Sequence, residues 1–209
     1  MRRPPTLKTT EIFASVQGEG LRQGEPTIFV RLSGCNRRCG FCDTKKAWRN
    51  GRETPVDKIM EEVVRLRRGF PAAWICLTGG EPLAQDVRPL VRRLHRAGFK
   101  VQVETNGTFP PDPEADWLTV SPKPPDYEVH PGFVRRAREV KLVVCRALTL
   151  DAVRTVRRTF PPAVPLILQP QSNAPWSRKK ALKVLADASR SGLTGIRVSV
   201  QLHKVYGIR

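Results

Sequence analysis

The sequence predicts an α/β fold: a parallel sheet with helices on its outside, curled by right-handed crossovers into a full or partial barrel. Two observations predict it. Apolar, strand-like runs alternate with helical patterns along the chain, and polar motifs recur at the predicted C-terminal strand ends, where barrels of this kind gather their chemistry. With 209 residues and 40% hydrophobic content the chain can bury one sizeable core, and a single domain over residues 1–209 is expected.

The elements follow in order. Residues 27–32 read as a strand that stops at Ser33-Gly34, where a cysteine-rich loop begins. Pro55 opens a helix whose apolar positions Ile59, Val63, Val64 and Leu66 recur at helical spacing, and Gly69 closes it. Residues 74–77 form a short apolar strand broken by Thr78-Gly79-Gly80, after which about 86–97 is helix with Gly98 as its stop. Strands are expected at 100–104, 117–120, 139–144, 165–168 and 196–202, with helices near 150–158 and 177–191. The prolines crowded between Phe109 and Pro131 exclude a long helix there.

A formal charge of +18 invites a nucleic-acid reading, because phosphate neutralisation supplies most non-specific affinity. The charge is shared evenly by the two halves, with no basic tail, and its pairs (Arg92-Arg93, Arg135-Arg136, Arg157-Arg158, Arg178-Lys179-Lys180) fall on or beside predicted helices, where solvated faces collect charge. No direct nucleic-acid partner is therefore expected. No apolar run suits a bilayer span or a secretion signal, and a reduced, cytoplasmic setting suits five cysteines of which three lie within eight residues.

Those three, Cys35, Cys39 and Cys42, have the spacing CxxxCxxC, which lets three thiolates in one compact loop turn on a single cluster and leave one iron open. Zinc or ordinary core cysteines are the bland alternatives. No Cys or His follows at the spacing of a structural zinc site, and His95, His130 and His203 are remote in sequence. Cys76 and Cys145, inside predicted strands, read as buried packing residues. Gly79-Gly80-Glu81-Pro82 alone would be no more than a tight turn; without Cβ atoms its backbone can approach a ligand closely.

CxxxCxxC followed by GGEP at the next strand end resembles the radical S-adenosylmethionine (SAM) superfamily. The resemblance implies a [4Fe–4S] cluster whose open iron chelates the methionine of SAM, and reductive cleavage of the sulfonium to a hydrogen-abstracting 5′-deoxyadenosyl radical. The run from Glu11 to Gly20, Phe29 to Asn36, Cys42-Asp43-Thr44 and the terminal Gln201-Leu202-His203-Lys204 resemble, more narrowly, the 7-carboxy-7-deazaguanine synthases. That likeness implies a pared-down barrel, a homodimer, an electron donor such as flavodoxin or ferredoxin, and ring contraction of 6-carboxy-5,6,7,8-tetrahydropterin with loss of ammonia, on the route to queuosine.

The same resemblance implies site residues. Val16, Gln17, Gly18, Glu19, Arg31, Thr78, His203 and the terminal Arg209 would face the pterin; Gly80, Glu81, Glu104, Ser121, Pro122, Lys123, Gln169, Pro170, Gln171 and Ser172 would hold SAM; Thr44 would help bind Mg²⁺. Taken singly, each has a duller reading: Arg31 a solvated strand residue, Glu19 a surface acid, Thr44 a loop threonine. The chain departs from the family where it ends in Arg209 instead of proline, and where Gln171-Ser172 lacks an acidic residue. A glycyl-radical activating enzyme and a basic RNA-binding module are the rival readings. The first leaves Gln17-Gly18-Glu19-Gly20 without a role, and the second lacks clustered aromatic platforms.

Overall fold

A computed structural model describes residues 4–112 and 114–208. The chain groups into two compact units that interleave along the sequence. The first takes residues up to Val16, Glu25–Thr105 and Asp112–Leu118; the second takes Gln17–Gly24, Asn106–Pro111 and the chain from Thr119 onward.

In the first unit β1 (Thr6–Val16) lies antiparallel to β2 (Pro26–Leu32), and β3 (Arg52–Pro55) lies antiparallel to β1 on its other side. β4 (Trp74–Gly79) and β5 (Lys100–Thr105) extend the sheet in parallel, giving the order β3-β1-β2-β4-β5. The crossovers are α1 (Val56–Gly69) and α2 (Arg88–Arg96), the helices that apolar periodicity anticipates. Ile59 and Val63 of α1 and Leu90, Val91 and Leu94 of α2 are fully buried. Pro55 ends β3 and stands just before α1 instead of opening it.

β6 (Trp117–Val120) begins in the first unit and ends in the second. There β7 (Glu139–Val144), β8 (Leu166–Pro170) and β9 (Ile196–Val198) follow in the order β6-β7-β8-β9, all parallel. α3 (Leu150–Thr159) follows β7, its first turn capped by the Thr149 hydroxyl, which accepts the Ala152 N–H at 3.1 Å. α4 (Pro175–Arg190) opens on a proline that needs no hydrogen-bond donor, and α5 (Leu202–Tyr206) closes the described chain. No helix among the described residues is long and apolar enough to cross a membrane.

Two expectations are corrected. The alternating run 196–202 is strand only to Val198, because β8 ends at Pro170, which has no N–H to offer a neighbour. The side chain of Asn173 takes over, donating to the Gln201 carbonyl and accepting the Gln201 N–H, both at 3.0 Å. Arg157, read as part of a solvated charge pair, is buried: its guanidinium donates to the carbonyls of Phe160, Pro161 and Val164 and ties down the turn after α3. Cys76 and Cys145 are buried as expected, although Cys145 lies one residue beyond β7.

Candidate active site

In the first unit, register builds the site. Phe13, Phe29 and Cys76 are aligned across β1, β2 and β4 and form a buried cluster, the two rings stacked with centroids 5.1 Å apart. Two residues further along each strand, on the same face, the aligned positions are Glu11, Arg31 and Thr78. A polar row thus stands on an apolar one. Arg31 Nε donates to Glu11 Oε1 at 2.7 Å, and its guanidinium lies over the Phe13 ring. Lys46 holds the other Glu11 oxygen at 2.8 Å. Thr78 continues the row by donating to Glu104 Oε2 at 3.2 Å. Thr44, behind the cysteine loop, has its hydroxyl 3.1 Å from Asp43 Oδ1 and 3.4 Å from Arg31 Nη1.

Cys35, Cys39 and Cys42 are half-exposed, and no disulfide joins them. The loop that carries them is tied across its ends, where the Gly34 N–H donates to the Ala47 carbonyl at 2.9 Å, and turns within itself, where the Cys42 N–H donates to the Cys39 carbonyl at 3.0 Å. Beneath it lies the Gly79-Gly80-Glu81 turn, whose Gly80 and Glu81 N–H groups donate to Leu32 and Gly34 at 3.0 and 2.7 Å. A Cβ on residue 80 would come within 2.0 Å of the Gly34 carbonyl oxygen and 2.9 Å of that of Ala47. Both are backbone atoms that cannot swing away. Gly80→Ala is therefore expected to push the cysteine loop off its seat; we predict at least a several-fold fall in bound iron per chain after anaerobic reconstitution, and wild-type iron content would refute this account of Gly80.

Glu81 does not extend a free carboxylate. It is fully buried, and its Oε1 accepts from Thr105 Oγ1 at 2.7 Å and from the Leu83 N–H at 3.0 Å, so its visible work is to anchor the turn. The donor set around the three cysteines fits an iron–sulfur cluster: three accessible thiols, a clamped loop and glycine backbone at close range. Burial, opposed by a backbone hydrogen bond at Arg37 and helped by the Glu81 carboxylate and the neighbouring thiols, pushes the Cys35 thiol up. A thiolate there needs a cation, and bound iron supplies one.

The second unit holds the Gln17-Gly18-Glu19-Gly20 turn. Glu139, fully buried on β7, accepts the Leu21 N–H at 2.6 Å and the Thr119 hydroxyl at 2.7 Å. Gly20 has a φ of +73°, and a Cβ there would strike the Glu139 carboxylate at 2.3 Å. Two residues along β7, Lys141 forms an ion pair with Glu19, whose other oxygen accepts from Gln201 Nε2 at 2.7 Å. Burial pushes the Glu19 carboxyl up. The Lys141 ammonium, the hydrogen bonds from Lys141 and Gln201, and the nearby His203 outweigh that and hold it at about 2. His203 packs against Gly18, and the Gly18 carbonyl accepts both the Leu202 N–H and Gln23 Nε2 at 2.9 Å.

At the ends of β6 and β8 stand the remaining expected cofactor contacts. Ser121 and Pro122 are buried; Ser121 Oγ donates to the Lys141 carbonyl at 2.7 Å and receives Lys123 Nζ at 2.6 Å. Gln169 is 1% exposed, with Oε1 accepting from Ser199 Oγ at 2.6 Å and a buried Nε2 that has no partner among the described residues. A buried donor left without a protein partner at a strand end is open to a ligand or a water. Gln171 is held by its N–H to Ser177 Oγ, and Ser172 is exposed with a φ of 51°. Arg209 lies outside the described residues.

The first unit thus collects Val16, Arg31, the three cysteines, Thr44, Thr78, Gly80, Glu81 and Glu104; the second collects Gln17 to Glu19, Ser121 to Lys123, Gln169 to Ser172 and His203. Sequence reasoning missed Glu11, Glu139 and Lys141 as partners of these residues.

Comparison with known proteins places this geometry. The family model of the radical SAM superfamily matches residues 29–142. A 7-carboxy-7-deazaguanine synthase of Aquifex aeolicus is 35% identical over 100% of this chain and 98% of its own length. One from Pyrobaculum aerophilum is 36% identical over 97% and 96%. Among solved structures, the crystal structure of QueE from Escherichia coli superposes with a TM-score of 0.77 at 29% identity, covering 95% of each chain. The chain is a radical SAM enzyme, with the partial barrel of that class and its dependence on a [4Fe–4S] cluster and SAM. Within the superfamily it belongs to the 7-carboxy-7-deazaguanine synthase family.

Proposed function

We propose that the protein converts 6-carboxy-5,6,7,8-tetrahydropterin into 7-carboxy-7-deazaguanine, with loss of ammonia, as one radical SAM domain over residues 1–209 that works as a homodimer. The observation that carries this reading is the end-to-end likeness to synthases of that name, which includes the Gln17-Gly18-Glu19-Gly20 segment outside the superfamily match. Anaerobic incubation with reductant, SAM and the carboxytetrahydropterin should yield a product whose mass corresponds to the contracted ring. Release of 5′-deoxyadenosine with the pterin unaltered would overturn it.

Cys35, Cys39 and Cys42 would hold three irons of the cluster and leave the fourth for SAM. When bound, the pair supplies the hydrogen-abstracting radical chemistry of the superfamily. Everything else falls to the chain. The Gly79-Gly80 backbone would offer carbonyls to the methionine end of SAM, and Glu104, Ser121 to Lys123 and Gln169 to Ser172 would offer polar groups for the rest.

Arg31, fixed by Glu11 and flanked by Thr78, would receive the substrate carboxylate: a guanidinium can donate two parallel hydrogen bonds, and Nε is already committed to Glu11, which leaves the terminal nitrogens. Glu19, kept ionised, can accept from the pterin's amino and ring N–H groups, and Val16, Gln17, Gly18 and His203 are the further residues assigned to the pterin. The Thr44 hydroxyl and Asp43 are oxygen donors suited to Mg²⁺, the rest of an octahedron coming from substrate and water.

Arg31→Ala tests the substrate site. Loss of charge-assisted hydrogen bonds of about 1.5–3 kcal/mol should reduce pterin turnover by about 10- to 100-fold. Uncoupled SAM cleavage should hold within about threefold, since Arg31 touches none of the residues assigned to SAM or the cluster and Lys46 still neutralises the Glu11 that the change releases. Equal losses in both assays would move Arg31 out of the substrate site.

A further inference from the structure

Among the described residues, the non-glycine positions with φ in the left-handed region are Tyr127, Ser172 and Asn173. The last two are adjacent, at 51° and 50°, in the turn that follows β8. Conformations of this kind persist where the surroundings fix them, and they collect at functional sites. Here Ser177 fixes the start of the turn: its hydroxyl accepts the Gln171 N–H at 2.8 Å and donates to the Val144 carbonyl at 2.6 Å. Asparagine tolerates the left-handed region better than most residues. The Asn173 carboxamide thereby reaches the chain beyond β9 and grips both backbone groups of Gln201, each at 3.0 Å.

That stretch, Ser199 to Leu202, has two sets of partners. One set is assigned to SAM: Ser199 Oγ donates to Gln169 Oε1 at 2.6 Å, and Asn173 directly continues the Gln171-Ser172 turn. The other is the turn assigned to the pterin. The Leu202 N–H donates to the Gly18 carbonyl at 2.9 Å, and Gln201 Nε2 donates to Glu19 Oε1 at 2.7 Å. Gln23 Nε2 bridges the carbonyls of Gly18 and Val200 at 2.9 and 2.8 Å. β9, which precedes the stretch, is the edge strand of the sheet, and its register with β8 runs only to Val198. Gln201, 5% exposed, belongs to both sets, its backbone to Asn173 and its side chain to Glu19.

We propose that Asn173 is a positioning residue that couples SAM binding to pterin binding through Gln201 and Glu19. The proposal rests on the functional reading above. A ligand that contacts the Gln169 to Ser172 end settles Asn173 and with it the Gln201 backbone; the Gln201 side chain then holds Glu19 where the pterin meets it. Ordering the shared stretch costs conformational entropy only once, so the ligand that binds first eases the binding of the second. Linkage makes the effect reciprocal: each ligand tightens the other by one and the same factor. No contact between the two ligands is required.

The test is equilibrium binding to the cluster-loaded, unreduced protein, in which neither ligand turns over. SAM is titrated with and without the carboxytetrahydropterin, and the pterin with and without SAM. In the wild type each should tighten the other by the same factor, about fivefold or more. Asn173→Gly keeps the left-handed backbone and deletes the carboxamide. It should bring that factor to within about twofold of one, while SAM alone binds within about threefold of the wild type. Gln201→Met leaves the grip of Asn173 on the backbone, removes the donor to Glu19, and should abolish the coupling from the other end. Asn173→Asp can accept the Gln201 N–H but cannot donate to its carbonyl, and should fall between. Thr149→Ala, which loosens the second unit by uncapping α3, should keep the wild-type factor.

A wild type that binds both ligands independently would overturn the coupling and leave the substrate reading standing. Full coupling in Asn173→Gly and Gln201→Met would take the link away from these residues, and an equal loss in Thr149→Ala would reduce it to general loosening; either result sinks the proposal. A wild type that binds SAM and no pterin would overturn the substrate reading and the coupling with it.

Discussion

Cys39→Ala is expected to remove the iron-dependent absorbance of the reconstituted protein and to bring 5′-deoxyadenosine release down to the level of the reductant-only blank. The reason is stoichiometric. On the proposed assignment the three thiolates of one loop are all the cluster ligands, and no other cysteine is placed to substitute: Cys76 is fully buried within β4 and Cys145 lies 2% exposed beyond β7. Cys39 is the most informative of the three to remove. Its carbonyl accepts the Cys42 N–H, a backbone contact that alanine preserves, so the loop keeps its turn while losing a ligand.

Cys76→Ala is the natural control, since it deletes a buried sulfur from the Phe13–Phe29 layer and touches no ligand. It should lower stability by about 1 kcal/mol and leave the chromophore in place. Wild-type SAM cleavage in Cys39→Ala, or loss of the chromophore in Cys76→Ala, would each contradict the assignment of the cluster.

Much of this was legible in the sequence because it is local. CxxxCxxC and GGEP declare themselves within a few residues, and the strand–helix alternation placed both at strand ends, where β2 and β4 do end. What escaped depends on contacts between distant segments. β1 breaks up its apolar residues with Thr6, Lys8, Thr9, Thr10, Glu11 and Ser15, and its burial is correspondingly irregular, so period-two alternation does not reveal it.

Glu139 and Lys141 were hidden differently. They lie in a run that reads simply as strand, yet they are two apart, hence on one face, and both are buried. Two ionisable residues on the same face of an interior strand are costly unless something meets them. That was the available signal, and the Gln17 to Leu21 turn is what meets them.

Lys141→Met carries the second large expectation. The side chains of Lys141 and Glu19 are 8% and 15% exposed. Breaking a buried pair by removing one partner leaves the other charge desolvated, and such changes cost about 3–5 kcal/mol. We take about 3 kcal/mol here because Gln201 still donates to Glu19. In a chain of this size that is a fall of roughly 6–12 °C in the unfolding temperature.

The pH dependence gives the result a sign that a general packing defect would not. In the wild type the Glu19 carboxyl is held at about 2 against an ordinary 4.5, so its contribution is full above pH 4.5 and is lost as the pH falls from there toward 2. Without the ammonium the carboxyl keeps its burial but loses the Lys141 attraction and hydrogen bond that lower it, so it titrates higher than in the wild type and the variant loses less on acidification. The stability gap between the two proteins should therefore narrow as the pH is lowered through the carboxylate range.

Removing both charges, in Lys141→Met/Glu19→Gln, should recover most of the stability while leaving pterin turnover impaired, because the accepting carboxylate is gone. Denaturant unfolding of the cluster-loaded proteins across pH decides the matter. A Lys141→Met protein as stable as the wild type, or a gap that widens in acid, would show that the Gln17 to Gly20 turn is held in place by something other than this pair.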